Sequence, residues 1–208
     1  MILLPSVQIS SVGENRVPEL YETKALQHEA EIAAFVEIVK RENVRSYLEI
    51  GSKFGGSLWR VASVMPSGSK VVAIDMPGAT RAWNESKVSL QACSARLRAM
   101  GHQTTLFWGD STDSKIVAAV RELGPFDLVL IDANHTLPYV SKDWENYGPL
   151  GRIVAFHDIA WRRPAGWTGY QIDVREFWDS IKGFYPHREE IVLDPTGQDN
   201  GFGVLWRC

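Results

Sequence analysis

The chain has 208 residues, a hydrophobic fraction of 45%, a charged fraction of 23% and a net charge of −3. This suits one soluble globular domain with a sizeable core, and it excludes a charge-driven attraction to nucleic acid or anionic membrane. Two distant cysteines, Cys93 and Cys208, exclude a disulfide framework and a cysteine metal motif and point to a reducing, cytoplasmic setting.

The start, MILLPSVQ, has an apolar run of only three residues and no basic flank, so it is not read as a signal peptide. No stretch approaches 18 apolar residues, so no membrane span is expected. Residues 1–17 are expected to be an irregular extension and residues 18–208 a single domain. A first helix is expected from about residue 18 to Arg41, on the stripe Ile32, Phe35, Val36 and Val39. Strands and helices then alternate. Ser46 to Ile50 is a strand, and Leu58, Val61, Ala62 and Met65 mark a helix. Lys70 to Asp75 is a second strand, and Leu90, Cys93, Leu97 and Met100 a helix closed by Gly101. Thr104 to Gly109 is a third strand, with Ile116, Val117 and Val120 on the helix after it. Phe126 to Asp132 is a continuous apolar run of the kind buried on both faces. Leu137, Val140, Trp144 and Tyr147 give the next helix, Arg152 to Phe156 the fifth strand, and Val174, Phe177, Trp178 and Ile181 a late helix. Two strands, Glu190 to Leu193 and Phe202 to Trp206, flank the turn-rich DPTGQDNG and predict a hairpin. The pattern is an α/β fold: a doubly wound, mostly parallel seven-stranded sheet with a C-terminal antiparallel hairpin.

In such a sheet the ligand site lies beyond the carboxyl ends of the strands. The first strand ends in Glu49 and a glycine turn, the second in Asp75, the third in Gly109-Asp110, the fourth in Asp132 with His135 three residues on, and the fifth in His157-Asp158. A single Asp after a strand is as well explained by turn chemistry as by a ligand; an acid at all five ends is harder to dismiss. The turn GSKFGGS, Gly51 to Ser57, fails both phosphate motifs. Lys53 stands where the dinucleotide fingerprint G-x-G-x-x-G needs its second glycine, and Ser57 where the phosphate loop needs lysine. The turn still admits a close ligand, and the helix start behind it favours an anionic group such as a carboxylate. Asp75, 24 residues after Gly51, is placed to take ribose hydroxyls, and Asp110 an adenine amino group. Together these suit a ligand with adenine, ribose and an amino-acid end but no phosphate.

The ordered set E-I-G-x-x-x-G-G-S, Asp75, G-D-S at 109–111, I-D-x-x-H at 131–135 and H-D at 157–158 resembles the Rossmann-like (class I) S-adenosylmethionine-dependent methyltransferases. More narrowly it resembles the small O-methyltransferase group that includes cephalosporin-hydroxylase-like, glycosyl and macrolide O-methyltransferases, and more distantly the catechol enzymes. The likeness runs over residues 20–208. It implies that Glu49, Gly51, Ser52, Gly55 and Ser57 hold the amino-acid end of S-adenosylmethionine, that Asp75 binds ribose, that Asp110 and Ser111 meet adenine, and that Asp132 borders the cofactor. Asp132, His157 and Asp158 match the metal ligands of metal-dependent relatives, for Mg²⁺ or another divalent ion. Those relatives carry acid–acid or acid–amide pairs where this chain has His157-Asp158. Without a metal, Asp132 and Asp158 would orient cofactor, substrate or loop. His135 corresponds to a catalytic lysine of the catechol enzymes and is the candidate general base, with Asp132 beside it; the other reading is a structural helix-start histidine.

Eight tryptophans suit both a core and a pocket wall. Ala160 to Tyr170, AWRRPAGWTGY, reads as an irregular segment whose aromatics and Arg162-Arg163 suit either a lid over an aromatic or sugar acceptor or a plain surface loop. The expected activity is O-methylation of a small hydroxylated acceptor (sugar, macrolide or phenol), with no nucleic-acid or membrane partner and homo-oligomerisation left open. An NAD-dependent oxidoreductase, disfavoured by Lys53, and a non-catalytic cofactor-binding protein are the alternatives.

Overall fold

The computed structural model describes residues 25–76, 81–163, 166–193 and 201–207. The expected extension at 1–17, the start of the first expected helix and the DPTGQDN turn at 194–200 lie outside these residues.

The strands are β1 (Ser46–Ile50), β2 (Lys70–Asp75), β3 (Gln103–Trp108), β4 (Phe126–Ile131), β5 (Gly151–His157), β6 (Arg188–Ile191) and β7 (Phe202–Trp206), in the order β3-β2-β1-β4-β5-β7-β6. The first five are parallel; β7 pairs antiparallel with both β5 and β6. This is the doubly wound, seven-stranded sheet expected from the sequence. The last strand in sequence is not at the edge. β7, FGVLW, is apolar and wholly buried, whereas β6, REEI, carries three charges and buries only Ile191. Burial therefore places β7 beside β5, and the charged β6 takes the edge, where unpaired backbone is safest under charged side chains.

The helices are α1 (Glu29–Arg41), α2 (Gly56–Ala62), α3 (Arg81–Ala99), α4 (Ser114–Leu123), α5 (Leu137–Tyr147) and α6 (Val174–Ile181). Period-two alternation along the strands divides the core. Tyr47, Val71, Ala73, Leu128 and Leu130 face α1, α2 and α3; Leu48, Ile50, Val72, Val129 and Ile131 face α4, α5 and α6. Helix limits differ from expectation most at α1 and α2. Residues 25–28 are not helical, and α1 starts where the His28 carbonyl accepts from Glu31 N and Ile32 N. α2 stops at Ala62, before Met65, because Pro66 follows and disfavours helix at the preceding residue. Of the tryptophans, Trp178 and Trp206 are core residues, while Trp161 and Trp167 border the cleft.

Candidate active site

The carboxyl ends of β1 to β5 open into one cleft of about 880 Å³. The turn after β1 makes its floor possible. Gly51 (φ +88°) and Gly55 (φ +83°) are both left-handed, the region where a side chain is strained. A Cβ on Gly51 would also stand 2.2 Å from the Asp132 carbonyl oxygen. α3 braces the turn from behind, Ser89 Oγ donating to the Phe54 carbonyl at 2.8 Å. Lys53 keeps its side chain at positive φ (44°) within the turn and lines the cleft.

Gly51, Ser52, Ser57, Asp75, Asp110, Ser111, Asp132, His135, His157 and Asp158 all line this cleft. Glu49 and Gly55 do not. Gly55 caps α2 and faces Cys93 and Leu90. Glu49 shares the strand face of Tyr47, so it points beneath the turn and is fully buried, accepting from Tyr47 Oη and Ser57 Oγ at 2.6 Å each. Burial pushes its carboxyl up to about 8. Its hold on the cleft therefore runs through Ser57. At β2, burial pushes Asp75 up to about 6, against the Met76 and Lys53 backbone amides. At β3, Asp110 Oδ1 accepts from Thr112 N (2.8 Å) and Oγ1 (2.7 Å), which shapes the loop, and Tyr147 Oη donates to the Ser111 carbonyl at 2.5 Å.

β4 and β5 bring together the chemically dense part. His135 Nε2 lies 3.2 Å from Asp132 Oδ1 and 3.3 Å from Asp158 Oδ2. His157 Nδ1 lies 3.1 Å from Asp158 Oδ1 and 3.4 Å from Asp132 Oδ1. Adjacent strand residues face opposite sides, so His157 and Asp158 converge only because β5 ends at His157 and Asp158 turns left-handed (φ 65°). Burial opposes charge on these groups, but mutual attraction wins. Asp132 is held well below the usual carboxylate range by His157 and His135, and the aspartates raise His135 and push His157 up to about 9.

Asp132, His135 and Asp158 present donor atoms within 4.8 Å of one another, two carboxylates and one imidazole that fit a divalent ion. His157 sits deeper, 6% exposed, with Nδ1 towards both aspartates and Nε2 buried without a hydrogen-bond partner among the described residues. It braces the carboxylates from below, while His135 offers the third donor on the cleft side.

The aromatic segment borders the same cleft. Trp161 and Trp167 pack edge to face (centroids 6.1 Å), as do Trp167 and Tyr170 (6.3 Å), and Trp167 Nε1 donates to the Tyr170 carbonyl at 3.0 Å. Arg162 and Arg163 are exposed and stand outside the cleft. Asp173, just beyond, ties this segment to His135: its backbone N donates to the His135 carbonyl at 2.7 Å, and its Oδ2 accepts from Leu137 N at 2.9 Å. Sequence reasoning missed Asp173 and Gln27, whose partners are far along the chain, and Tyr139, which lines the cleft one turn past His135.

A family model described as a methyltransferase domain matches residues 48–159, just over half of the chain. The chain belongs to that methyltransferase family. No curated protein matches this methyltransferase in sequence. Among solved structures it is similar to the O-methyltransferase TomG of Streptomyces achromogenes, involved in tomaymycin synthesis and solved with SAM (18% identity, TM-score 0.65, 87% of this chain and 81% of that one). It is also similar to the O-methyltransferase of Bacillus cereus in complex with SAH (18%, 0.60, 86% and 82%) and to the SAH-bound methyltransferase PaMTH1 of Podospora anserina (16%, 0.57, 88% and 80%). At these identities the likeness carries the fold. No helix among the described residues of the methyltransferase is long and apolar enough to cross a membrane.

Proposed function

We propose that residues 18–208 form one cytoplasmic, S-adenosylmethionine-dependent O-methyltransferase domain acting on a small hydroxylated acceptor: a sugar, a macrolide or a phenolic product. The observation that carries this reading is His135 Nε2 at 3.2 and 3.3 Å from two carboxylates on the floor of the cleft. The cofactor fits the rest of the cleft: Asp75 for ribose hydroxyls, Asp110 and Ser111 for adenine, and Gly51 and Ser52 for the amino-acid end. When bound, S-adenosylmethionine supplies an electrophilic methyl group.

The chain's own task is to orient the acceptor oxygen and take its proton. Nε2, which faces the two carboxylates, keeps its own hydrogen, so His135 receives that proton at its other ring nitrogen, Nδ1. Asp132 and Asp158 stabilise the resulting imidazolium, which is why they raise His135 above its ordinary pKa. Asp173 fixes the His135 backbone. Trp167 and Tyr170, 42% and 70% exposed, give the acceptor body an aromatic wall. A second form of the mechanism is supported by the donor atoms within 4.8 Å. Asp132, Asp158 and His135 would then hold a divalent ion that favours the ionised acceptor oxygen, and His135 would ligate in its neutral form instead of taking the proton.

The test is His135→Ala, assayed for SAH release with a panel of phenols, sugars and hydroxylated macrolides and for SAH affinity by calorimetry. Turnover is expected to fall about 100-fold or more, with SAH affinity within about threefold of wild type. Equal losses in both would remove His135 from the chemistry.

A further inference from the structure

The Asp132 carboxylate is held from two directions. Its Oδ1 faces the two imidazoles, and its Oδ2 accepts from the side-chain amide of Gln27 at 2.9 Å. Gln27 belongs to the short segment before α1, 105 positions from Asp132, and lines the cleft. An ionised carboxylate only accepts, so the end of the amide that faces Asp132 is Nε2, and this orients Oε1 away from it. Gln27 Oε1 is buried and has no hydrogen-bond partner among the described residues. A buried amide oxygen left unpaired is unfavourable, so whatever fills the cleft is expected to bring it an N–H or O–H donor.

Strand order says which donor. The sequence β3-β2-β1-β4 sets the Asp110–Ser111 loop, Asp75, the Gly51 turn and Asp132 in one row across the sheet. Neighbouring strands lie about 4.8 Å apart, so the row spans about 14 Å. A ligand with adenine at β3 and ribose at β2 therefore delivers its amino-acid end over β1 and β4, next to Asp132 and Gln27. We infer that Gln27 is a cofactor-binding residue whose Oε1 accepts a hydrogen bond from the α-ammonium of the methionyl end, while its Nε2 holds Asp132. The inference rests on the S-adenosylmethionine reading above. An ammonium has three donors and no acceptor, and a neutral amide oxygen beside a carboxylate satisfies one of them without adding charge next to Asp132. The same side chain thereby links cofactor occupancy to the position of Asp132.

Calorimetry on the full chain tests this with two probes: SAH, and its desamino analogue in which hydrogen replaces the ammonium group. Gln27→Leu keeps the apolar bulk and removes both polar ends. It is expected to weaken SAH binding about tenfold to a hundredfold, as for a hydrogen bond to a charged group, and to change binding of the desamino analogue by less than about threefold. Gln27→Asn, one methylene shorter, is expected to fall between wild type and Gln27→Leu. Equal losses on both probes, or unchanged SAH affinity, overturn the inference. Should Gln27→Leu fail to fold, Gln27→Asn is read the same way, and a wild type that binds both probes equally overturns the inference without any variant. A wild type that does not bind SAH at all is a separate outcome, and it overturns the cofactor reading itself.

Discussion

Glu49→Gln probes the charge state beneath the glycine turn. Glu49 is fully buried, and burial moves its carboxyl from 4.5 up to about 8, against the hydrogen bonds from Ser57 and Tyr47. The folded chain therefore keeps this proton over a range in which the unfolded chain has released it. The sign follows from linkage. The stabilisation is fully present below the unfolded value of 4.5, and it is lost as pH rises through about 8. At about 1.4 kcal/mol per unit, the full displacement is worth about 4–5 kcal/mol. Glutamine keeps the shape and both hydrogen-bonding positions but does not ionise. In urea unfolding, the variant is expected to gain on wild type by about 4 kcal/mol between about pH 5 and about pH 9. Asp75, Asp143 and His157, pushed up to about 6, 7 and 9, tilt stability the same way but are present in both proteins and drop out of the difference. A stability difference independent of pH would refute a neutral, buried Glu49.

Two further outcomes are expected. Gly51→Ala combines a left-handed φ of +88° with a Cβ 2.2 Å from the Asp132 carbonyl oxygen and 2.6 Å from Ala133 Cα, both backbone atoms that cannot swing aside. It should destabilise by at least about 2 kcal/mol and abolish SAH binding, read by melting and calorimetry; wild-type affinity would show that the turn is not the cofactor's seat. Mn²⁺ is expected to raise the melting temperature of wild type by several degrees and to leave Asp158→Asn unmoved, since the asparagine keeps the shape and loses the anionic ligand. A wild type indifferent to both Mn²⁺ and Mg²⁺ would leave the metal-free form of the mechanism.

The strands were the most legible feature because their signal is local. β1, β2 and β7 follow the predicted limits to the residue, and the rest lie within two residues at each end, since apolar runs bounded by turn formers report burial directly. The row of strand-end acids was legible for the same reason: once the strands are known, topology puts their carboxyl ends on one rim. Helix limits were less legible. Met65 sits in an apolar stripe yet falls outside α2, because Pro66 governs the backbone there and periodicity does not register it.

The sequence by itself determined the fold class, the rim that carries the site and the absence of a phosphate motif in the Gly51 turn. Each follows from spacing within a few residues. Tertiary structure alone decided which side chains meet. Glu49 turned out to lie under the cleft because strand alternation puts it on the face of Tyr47. His135 completes the cleft-side donor set, while the deeper His157 meets the same carboxylates from behind, because Asp158 at φ 65° presents Oδ2 to His135 and Oδ1 to His157. Gln27 reaches Asp132 across 105 positions, and Asp173 holds the His135 carbonyl from beyond β5. Such contacts are set by how layers stack and how one backbone torsion falls, and neither leaves a periodicity in the chain.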